Sequence, residues 1–528
     1  MQQEIKLDKP KFYITSTLPY VNADPHIGFA MEIIRADVIA RTKRALGYEV
    51  FFNTGTDEHG SKIHEGGVKE NLTTQEYVDK YSNRFRDFLK LANISNDAFI
   101  RTTDSNHKLA AQKMWNICLA KGDIYKAKQV IKYCIGCEME KTDSELDDNG
   151  KCGDHPGRDI VISEEENYFF RFSKYEKELL ALYDAGLVKP DFRGKEIYNF
   201  VAGGLHDFSV SRLKSKMPWG VDVPGDDDHV MYVWFDALTS YISTLGWGSE
   251  DKENLEKNEN KKESSAENNF EKFWQQSIQE KREVVQYCGK DNNKAQSAIW
   301  QAMLLSAGIK NTTTININGH IISNGVKMSK SIGNVISPFD VIEKYKDVTD
   351  YGEEVLRFVL CHEVSTYEDS DVTNDIIEIA YKSYLQNGIG NQVNRILKLS
   401  STHLTLDDIK NILTKAEDGK LDQYYIECLN NFKINEAVHL VTDKIKSLDE
   451  YIQSSEPFKL IKSNGDGDII KAEQDKQKGI EIIKESVLKL CEIGHHLYFF
   501  MPRLSLDIYK HIKENKMPEK PLFARLEK

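Results

Sequence analysis

The 528-residue sequence lacks the features of membrane, fibrous and disulfide-scaffold proteins. No apolar run approaches the ~18 residues that a membrane-spanning helix needs. The 8 Cys and 12 Pro are too few for a disulfide framework or a collagen-like chain. The 70 Lys and Arg are outnumbered by 83 Asp and Glu, and a net charge of −13 excludes a general nucleic-acid-coating protein, although a local basic surface can still bind phosphates. The first residues have neither an apolar signal-peptide core nor a transit-peptide bias. We therefore expect a cytoplasmic enzyme without a membrane partner.

The N-terminal region predicts an α/β fold. Residues 12–17 form a β-rich run, residues 28–46 have apolar residues at helical spacing, and residues 50–54 form a second β-rich run. This order is a βαβ unit, which predicts a doubly wound parallel sheet. A G-x-G-x-x-G sequence is missing, so the usual dinucleotide-binding fold is not supported.

Changes in pattern divide the chain into five regions. The boundaries that we predict are 1–114, 115–230, 231–322, 323–371 and 372–528. The second region has short strands, many turn residues and a Cys cluster, and the last is helical by periodicity. Residues 230–235 predict a buried strand, residues 249–269 a solvated insertion, and residues 463–478 a polar loop between helices.

Two separate segments have residues that suit phosphate binding. In the first, Pro25-His26-Ile27-Gly28 lies between the first strand and the first helix, where ligands bind in open α/β sheets. In the second, Lys327-Met328-Ser329-Lys330-Ser331 lies in a Gly-flanked loop that can cradle a polyphosphate. Taken singly, each has a structural alternative, a helix cap for His26 and a solvated basic loop for the second segment. Their occurrence together favours nucleotide chemistry.

A third segment has the spacing of a metal knuckle. Cys134 and Cys137 form one pair, Cys152 and His155 form another, and 14 residues lie between the pairs. Three thiolates and one imidazole make a closed tetrahedral site, which predicts one structural Zn²⁺. A redox Cys-x-x-Cys is the alternative, but it leaves Cys152 and His155 unexplained.

The two phosphate segments resemble the signature sequences of class I aminoacyl-tRNA synthetases. Within that class the chain is similar to the methionyl-tRNA synthetase family over nearly its whole length. The similar motifs begin at Thr15, Gly55, Ile100, Asn167, Val233, Gly289 and Pro521, and the zinc knuckle agrees as well. The 115–230 insertion is too short for the editing domain of the valyl, isoleucyl and leucyl relatives. The resemblance implies a class I catalytic domain in two halves, a zinc-knuckle insertion, a stem-contact region that includes the KMSKS loop, and a helical anticodon-binding domain.

The resemblance also implies the roles of individual residues. His26, Lys327 and Lys330 correspond to the catalytic residues. The residues implied for ATP binding are Pro25, His26, Ile27, Gly28, Phe29, Gly289, Asp291, Lys327, Met328, Ser329, Lys330 and Ser331. Those implied around methionine are Leu18, Tyr20, Asp57, Trp234, Ala237, Tyr241, Asn292 and Gln296, with Asp57 binding the ammonium group. Arg212 corresponds to an active-site arginine, and Asn391, Arg395 and Phe458 correspond to anticodon-reading residues.

Three features depart from the family pattern. Phe29 stands where the first signature usually ends in His, and Phe458 stands where a Trp usually stacks on the anticodon. Asn292 and Gln296 stand where many relatives have an apolar residue and a His. This polar pair indicates either an altered specificity or a variant pocket wall whose amides bond each other or the backbone, and we favour the variant wall.

The expected activity is that of a methionine–tRNA ligase acting on L-methionine, ATP and tRNA(Met), including the initiator tRNA. Mg²⁺ is expected with ATP. A synthetase for another apolar amino acid and a non-catalytic zinc-containing RNA-binding protein are the alternatives. We expect a monomer, because the β-rich C-terminal appendix through which some relatives dimerise is missing from this sequence.

Overall fold

The computed structural model describes most of the chain and divides it into two compact units. The described residues are 9–137, 139–141, 145–153, 155, 157–248, 269–275, 282–328, 334–417 and 421–526. The first unit comprises Met1–Asp24, Gly47–Arg86 and Asn96–Ile317. The second comprises Pro25–Leu46, Asp87–Ser95 and Asn318–Lys528.

The strands lie mostly in the first unit. They are β1 (Lys11–Ser16), β2 (Glu49–Thr56), β3 (Ala98–Arg101), β4 (Ile124–Cys134), β5 (Met139–Glu140), β6 (Ile160–Phe170), β7 (Val188–Lys189), β8 (Phe208–Ser209), β9 (Ser211–Leu213), β10 (Asp222–Val223), β11 (Asp226–Met231), β12 (Arg282–Gly289), β13 (Thr314–Asn318), β14 (Ile321–Ser323), β15 (Val326–Lys327) and β16 (Ser370–Asp371).

Helices occur in both units. They are α1 (Ile27–Ala45), α2 (Ser61–Lys69), α3 (Thr74–Leu91), α4 (Ser105–Ala120), α5 (Glu176–Asp184), α6 (Asp191–Ala202), α7 (Val233–Leu238), α8 (Ser240–Ser243), α9 (Trp300–Ala307), α10 (Pro338–Tyr345), α11 (Gly352–His362), α12 (Asn374–Ala380), α13 (Asn391–His403), α14 (Leu406–Glu417), α15 (Gln423–Asn430), α16 (Ile434–Ser455), α17 (Pro457–Ile461), α18 (Ile469–Leu497) and α19 (Pro502–Glu514). Within the described residues, none of the helices combines the length and the apolar composition needed to cross a membrane.

The first unit is built around the predicted parallel sheet, whose strand order is β3-β2-β1-β12-β13-β7. β1 pairs in parallel with β2 on one side and with β12 on the other. All six residues of β1 are buried, which explains its β-rich composition without polar alternation. The α/β fold class and the first two strands are confirmed.

The order of the strands creates a switch point beside β1. From β1 the chain first adds β2 and β3 on one side and later adds β12 and β13 on the other. Ligands of open α/β sheets bind where the strand order reverses, outside the carboxyl ends of the strands. The segments that follow β1, β2 and β12 therefore lie at the expected ligand edge.

The insertion in the first unit carries two sheets of antiparallel strands. β4 and β6 pair along eleven residues each, in a sheet with the order β5-β4-β6-β8. A second small sheet has the order β10-β11-β9. β4 ends at Cys134, and Cys137 lies in the turn between β4 and β5.

Two expectations about secondary structure are wrong. Residues 230–235 do not form one strand, because β11 ends at Met231 and α7 begins at Val233. Residues 463–478 are not a continuous loop, because α18 begins at Ile469. The Asp468 carboxylate caps this helix by accepting from the backbone N–H groups of Ile470 and Lys471. Of the predicted insertion, residues 249–268 lie outside the described residues.

The second unit is mainly helical, as predicted for the C-terminal region. Its helix α1 buries even charged residues, and Asp37 is fully buried beside Arg357 of α11 at 2.8 Å. Arg357 also donates to the Phe500 carbonyl at 2.9 Å. A buried charge requires such a partner, so this pair joins α1, α11 and the turn that precedes α19.

Candidate active site

Asp57 follows β2 directly and is held next to the segment that follows β1. Its backbone N–H donates to the Pro19 carbonyl at 2.9 Å, and its carbonyl accepts from Val21 N–H at 3.1 Å. These bonds make a parallel bridge between Tyr20 and Asp57. Two of the residues predicted around methionine are thus adjacent at the carboxyl edge of the sheet.

Glu58, the residue after Asp57, is held in place by hydrogen bonds to its carboxylate. The buried Glu58 carboxylate accepts from Arg101 Nε at 2.7 Å and from the hydroxyls of Thr56 and Thr103 at 2.6 and 2.5 Å. Burying this charge is tolerated because the anion receives several hydrogen bonds. The arrangement fixes the backbone on one side of Asp57.

The next residue, His59, is anchored on the other side. His59 Nδ1 lies 2.5 Å from Asp236 Oδ2 on α7, and His107 Nε2 of α4 lies 2.7 Å from Asp236 Oδ1. Burial alone raises the pKa of Asp236, but the two histidines outweigh that effect and lower its pKa to about 2. Asp236 is therefore an anion that accepts from both imidazoles.

Gly60 keeps space for Tyr20. Its φ of +120° disfavours any residue with a Cβ, and a Cβ at this position would lie 2.3 Å from the Tyr20 hydroxyl and 3.3 Å from Val233 Cγ2. Tyr20 also packs against the small apolar cluster that contains Val233. The loop after β2, the segment after β1 and helix α7 therefore converge.

Helix α7 presents Trp234 and Ala237 on one face, because they are three residues apart. Both are half-buried, whereas Val233, Phe235 and Asp236 are buried. Trp234 packs against the core cluster that also contains Leu18 and Tyr241. Of the residues predicted to surround methionine, the structure thus pairs Tyr20 with Asp57, places Leu18, Trp234 and Tyr241 in or against one core cluster, and places Ala237 on the same helix as Trp234.

Gln296 is buried at the back of this group. Its Nε2 donates to the Tyr241 hydroxyl at 2.5 Å, and its Oε1 accepts from Gln286 Nε2 at 2.5 Å. Asn292 is half-buried and donates to the Asp291 carboxylate at 3.3 Å. The expectation that the amides of Asn292 and Gln296 bond each other or the backbone is wrong, because β12 and α8 supply nearer side-chain partners for Gln296.

The other predicted site residues of the first unit are Gly289 and Asp291, near the end of β12, and Arg212 on β9. Gly289 ends β12, and Asp291 lies exposed in the single turn of helix after it. Arg212 on β9 is buried, donates to the Ser209 hydroxyl at 2.8 Å and lies over the Tyr232 ring at 4.7 Å. These contacts hold the guanidinium in a fixed place by packing as well as by hydrogen bonds.

In the second unit, His26 caps helix α1. Its Nδ1 accepts from the backbone N–H groups of Gly28 and Phe29 at 3.1 and 3.3 Å. Because Nδ1 accepts, the neutral ring carries its proton on Nε2. Gly28 is needed here, since a Cβ would lie 3.0 Å from the ring. Pro25 and Ile27 flank His26 and are buried.

The KMSKS segment begins at the end of a hairpin in the second unit. β14 and β15 are joined by Asn324 and Gly325, both with positive φ, whose N–H groups each donate to Asp371 at 2.8 Å. Lys327 ends β15, but its side chain lies outside the described residues, and Met328 is half-buried. Ser329, Lys330 and Ser331 also lie outside the described residues.

The predicted zinc ligands come together in the insertion. The ligand atoms of Cys134, Cys137, Cys152 and His155 all lie within 4.8 Å of one another. Cys137 Sγ lies 3.4 Å from Cys152 Sγ and 3.2 Å from His155 Nδ1, close to the ~3.8 Å between sulfurs that a tetrahedral ion with 2.3 Å bonds requires. A Cβ on Gly136 would lie 2.4 Å from the His155 ring. This donor set and its geometry fit a zinc ion.

The predicted anticodon residues lie on two helices of the second unit. Asn391 begins α13 and is exposed, and Arg395 one turn later pairs with Asp449 of α16 at 3.0 Å. Phe458 on α17 is 39% exposed.

Sequence reasoning missed the residues that hold the site in place. Glu58, His59, Arg101 and Asp236 occur within the motifs that carried the resemblance, but Glu58 and Arg101 are 43 residues apart in the chain, and His59 and Asp236 are 177 apart. In the sequence, Asp236 interrupts the apolar run of residues 233–238, and a carboxylate in such a run is the one signal that could have drawn attention to it.

Comparisons with known proteins agree with this geometry. The family model described as tRNA synthetases class I (M) matches residues 12–158 and 148–397. A methionine–tRNA ligase of Fusobacterium nucleatum is 34% identical over 464 residues, covering 86% of this chain and 68% of that relative. One of Thermotoga maritima is 32% identical over 521 residues, covering 97% and 76%. Methionyl-tRNA synthetase of Mycobacterium tuberculosis in complex with methionyl-adenylate has a TM-score of 0.83 at 28% identity and covers 98% of this chain and 100% of that one.

Proposed function

Because the chain belongs to the methionine–tRNA ligases of the class I tRNA synthetases, we propose that the residues gathered at the carboxyl edge of its sheet bind and activate methionine. The observation that carries this proposal is the convergence of Tyr20, Asp57 and helix α7 at the switch point of the sheet. The enzyme is an aminoacyl-tRNA ligase, and its substrates are L-methionine, ATP and tRNA(Met).

In the proposed first step, the methionine carboxylate attacks the α-phosphorus of ATP, which gives methionyl-adenylate and releases pyrophosphate. Asp57 binds the substrate ammonium, and Trp234, Ala237 and Leu18 contact the thioether side chain. A thioether is a weak hydrogen-bond acceptor, so shape and apolar contact dominate its selection. Asn292 and Gln296 complete the wall, with Gln296 acting through Tyr241.

We assign the charge that develops on the triphosphate to the two signature segments. His26 Nε2 and the N-terminus of α1 donate to phosphate oxygens, and Lys327 and Lys330 follow the charge as pyrophosphate leaves. Gly28, Phe29 and the other residues of the two signature segments contact the same nucleotide. Gly289 and Asp291 bind its ribose, and Arg212 binds an oxygen atom in the active site. Mg²⁺ that accompanies ATP neutralises part of the phosphate charge. No side-chain nucleophile is needed, because alignment and charge stabilisation suffice.

In the second step, a terminal ribose hydroxyl of the tRNA attacks the activated carbonyl and AMP leaves. We assign residues 1–114 and 231–322 to the two halves of the catalytic domain, 115–230 to the zinc-bearing insertion, 323–371 to stem contact and 372–528 to anticodon binding. Asn391 and Arg395 then read unpaired bases and Phe458 stacks on one. Zinc bound by the knuckle is structural, because four protein ligands leave no open position.

We further propose that the enzyme is a cytoplasmic monomer. Light scattering at micromolar concentration tests the monomer, and a mass near twice 60.6 kDa contradicts it. The main proposal is tested by methionine-dependent exchange of pyrophosphate into ATP followed by charging of tRNA(Met). A chain that binds tRNA(Met) without supporting either reaction contradicts it.

A further inference from the structure

Asp236 is the centre of a buried chain of hydrogen bonds that the reaction itself does not use. Both of its carboxylate oxygens accept from imidazoles, those of His59 and His107. Since His107 Nε2 donates to Asp236, the neutral ring accepts at Nδ1 from Ser243 Oγ, at 2.9 Å. His59, Asp236 and His107 are at most 1% exposed.

Three members of this chain lie on different segments that carry residues of the proposed methionine site. His59 is two residues after Asp57, and Asp236 lies between Trp234 and Ala237 on α7. Ser243 lies on α8 with Tyr241. Trp219 also holds the backbone on both sides of His59. Its indole N–H donates to the Glu58 carbonyl at 2.6 Å, and its carbonyl accepts from Gly60 N–H at 3.0 Å.

We propose that the chain His59–Asp236–His107–Ser243 is a positioning device that sets the separation between the ammonium-binding carboxylate and the apolar wall of the amino-acid pocket. This inference rests on the proposed function of the site. His59 and Asp236 are positioning residues that act through Asp57 and Trp234. A displacement of about 1 Å in such an arrangement can cost about a hundredfold in rate, which makes a buried charged tether effective.

The test compares Michaelis constants for methionine and ATP in pyrophosphate exchange. We expect His59→Ala to raise the KM for methionine about tenfold and to change the KM for ATP less than about twofold, because only the amino-acid pocket loses a wall contact. His59→Asn places an amide nitrogen near the position of Nδ1 and is expected to restore most of the methionine affinity. His59→Gln places its nitrogen near Nε2 and is expected not to restore it.

Asp123→Asn is the matched control. Asp123 is also a buried carboxylate of the first unit, and it accepts from Tyr175 and Ser306, residues that take no part in the proposed site. We expect this variant to lower the unfolding temperature without changing the ratio of the two Michaelis constants. If His59→Ala is too unstable to assay, the contrast between His59→Asn and His59→Gln decides the question.

Different results contradict the proposed function and the positioning role of His59. Wild-type protein without methionine-dependent exchange contradicts the proposed function. Active wild-type protein whose His59 variants alter both Michaelis constants equally, or alter neither, contradicts the positioning role alone.

Discussion

At the scale of single residues, Asp57 is oriented by its neighbours before a substrate arrives. Glu58 is tied to Arg101, His59 to Asp236, and the Asp57 backbone to the segment after β1. The backbone that carries Asp57 is therefore held in place, and such preorganisation is the condition for a strong electrostatic contribution in an active site.

Replacing Asp57 tests this role directly. We expect Asp57→Asn to raise the KM for methionine about 10- to 150-fold, since a hydrogen bond to a charged group contributes about 1.5–3 kcal/mol. The KM for ATP should stay close to that of the wild type. Asp24→Asn is the control, because Asp24 is an exposed carboxylate paired with Arg84. Equal changes in both Michaelis constants would count against the assignment.

His26 offers a test that separates capping from catalysis. Asn is a good N-cap residue, so His26→Asn should keep the stability of α1 within about 0.5 kcal/mol, whereas His26→Ala loses about 1 kcal/mol. Both variants lack the Nε2 donor and should lose about 10²–10³-fold in the rate of adenylate formation. Thermal unfolding and pyrophosphate exchange measure the two properties. An active His26→Asn variant would reduce His26 to a helix cap.

At the scale of elements, the knuckle formed by Cys134, Cys137, Cys152 and His155 is tied to the part of the first unit that carries the parallel sheet. Lys62 of α2 donates to the Gly136 carbonyl at 2.9 Å, inside the turn between Cys134 and Cys137. Lys294, two residues before Gln296, lies 3.5 Å from Glu145. The knuckle is therefore held by the segments that follow β2 and β12.

Cys134→Ser should release the zinc and loosen the insertion while the parallel sheet stays folded. A structural site depends on its full set of ligands, and binding energy at such a site is folding energy. Elemental analysis should find about one zinc per chain in the wild type and in the control Cys118→Ala, whose thiol is buried away from the knuckle. Purified wild-type protein without zinc would overturn the assignment.

The elements differ in how far the sequence alone could predict them. β1 and the extent of α1 were predictable from composition and spacing, but the burial of Arg35 and Asp37 on α1 was not, because the apolar pattern does not include them. The start of α7 was not predictable either, because Val233 and Phe235 continue the apolar pattern of β11 while the backbone already turns into a helix. Asp236 and His59, and Gln296 and Tyr241, are far apart in the chain, so that only the fold brings them together.

At the scale of the whole molecule, methionine binding and anticodon reading are assigned to different regions. The residues proposed to surround methionine lie in the first unit, and Phe458, Asn391 and Arg395 lie in the helices of the second. Variants of these two sets of residues should therefore affect different reactions.

Phe458→Ala should lower kcat/KM for the charging of tRNA(Met) about 5- to 150-fold, because stacking on one base contributes about 1–3 kcal/mol. Pyrophosphate exchange should be unchanged, since it needs no tRNA. Tyr424→Ala removes another exposed aromatic ring of the second unit and serves as the control. Loss of exchange activity in Phe458→Ala would place the residue outside anticodon recognition.

The central claim is that the site activates methionine, and exchange of pyrophosphate into ATP with a panel of amino acids tests it most directly. An apolar pocket discriminates a single methylene-sized difference by only about 1–3 kcal/mol, so leucine and norleucine should react more weakly by a limited factor. We predict the highest kcat/KM for methionine. Faster exchange with leucine, isoleucine, valine or cysteine would contradict the account.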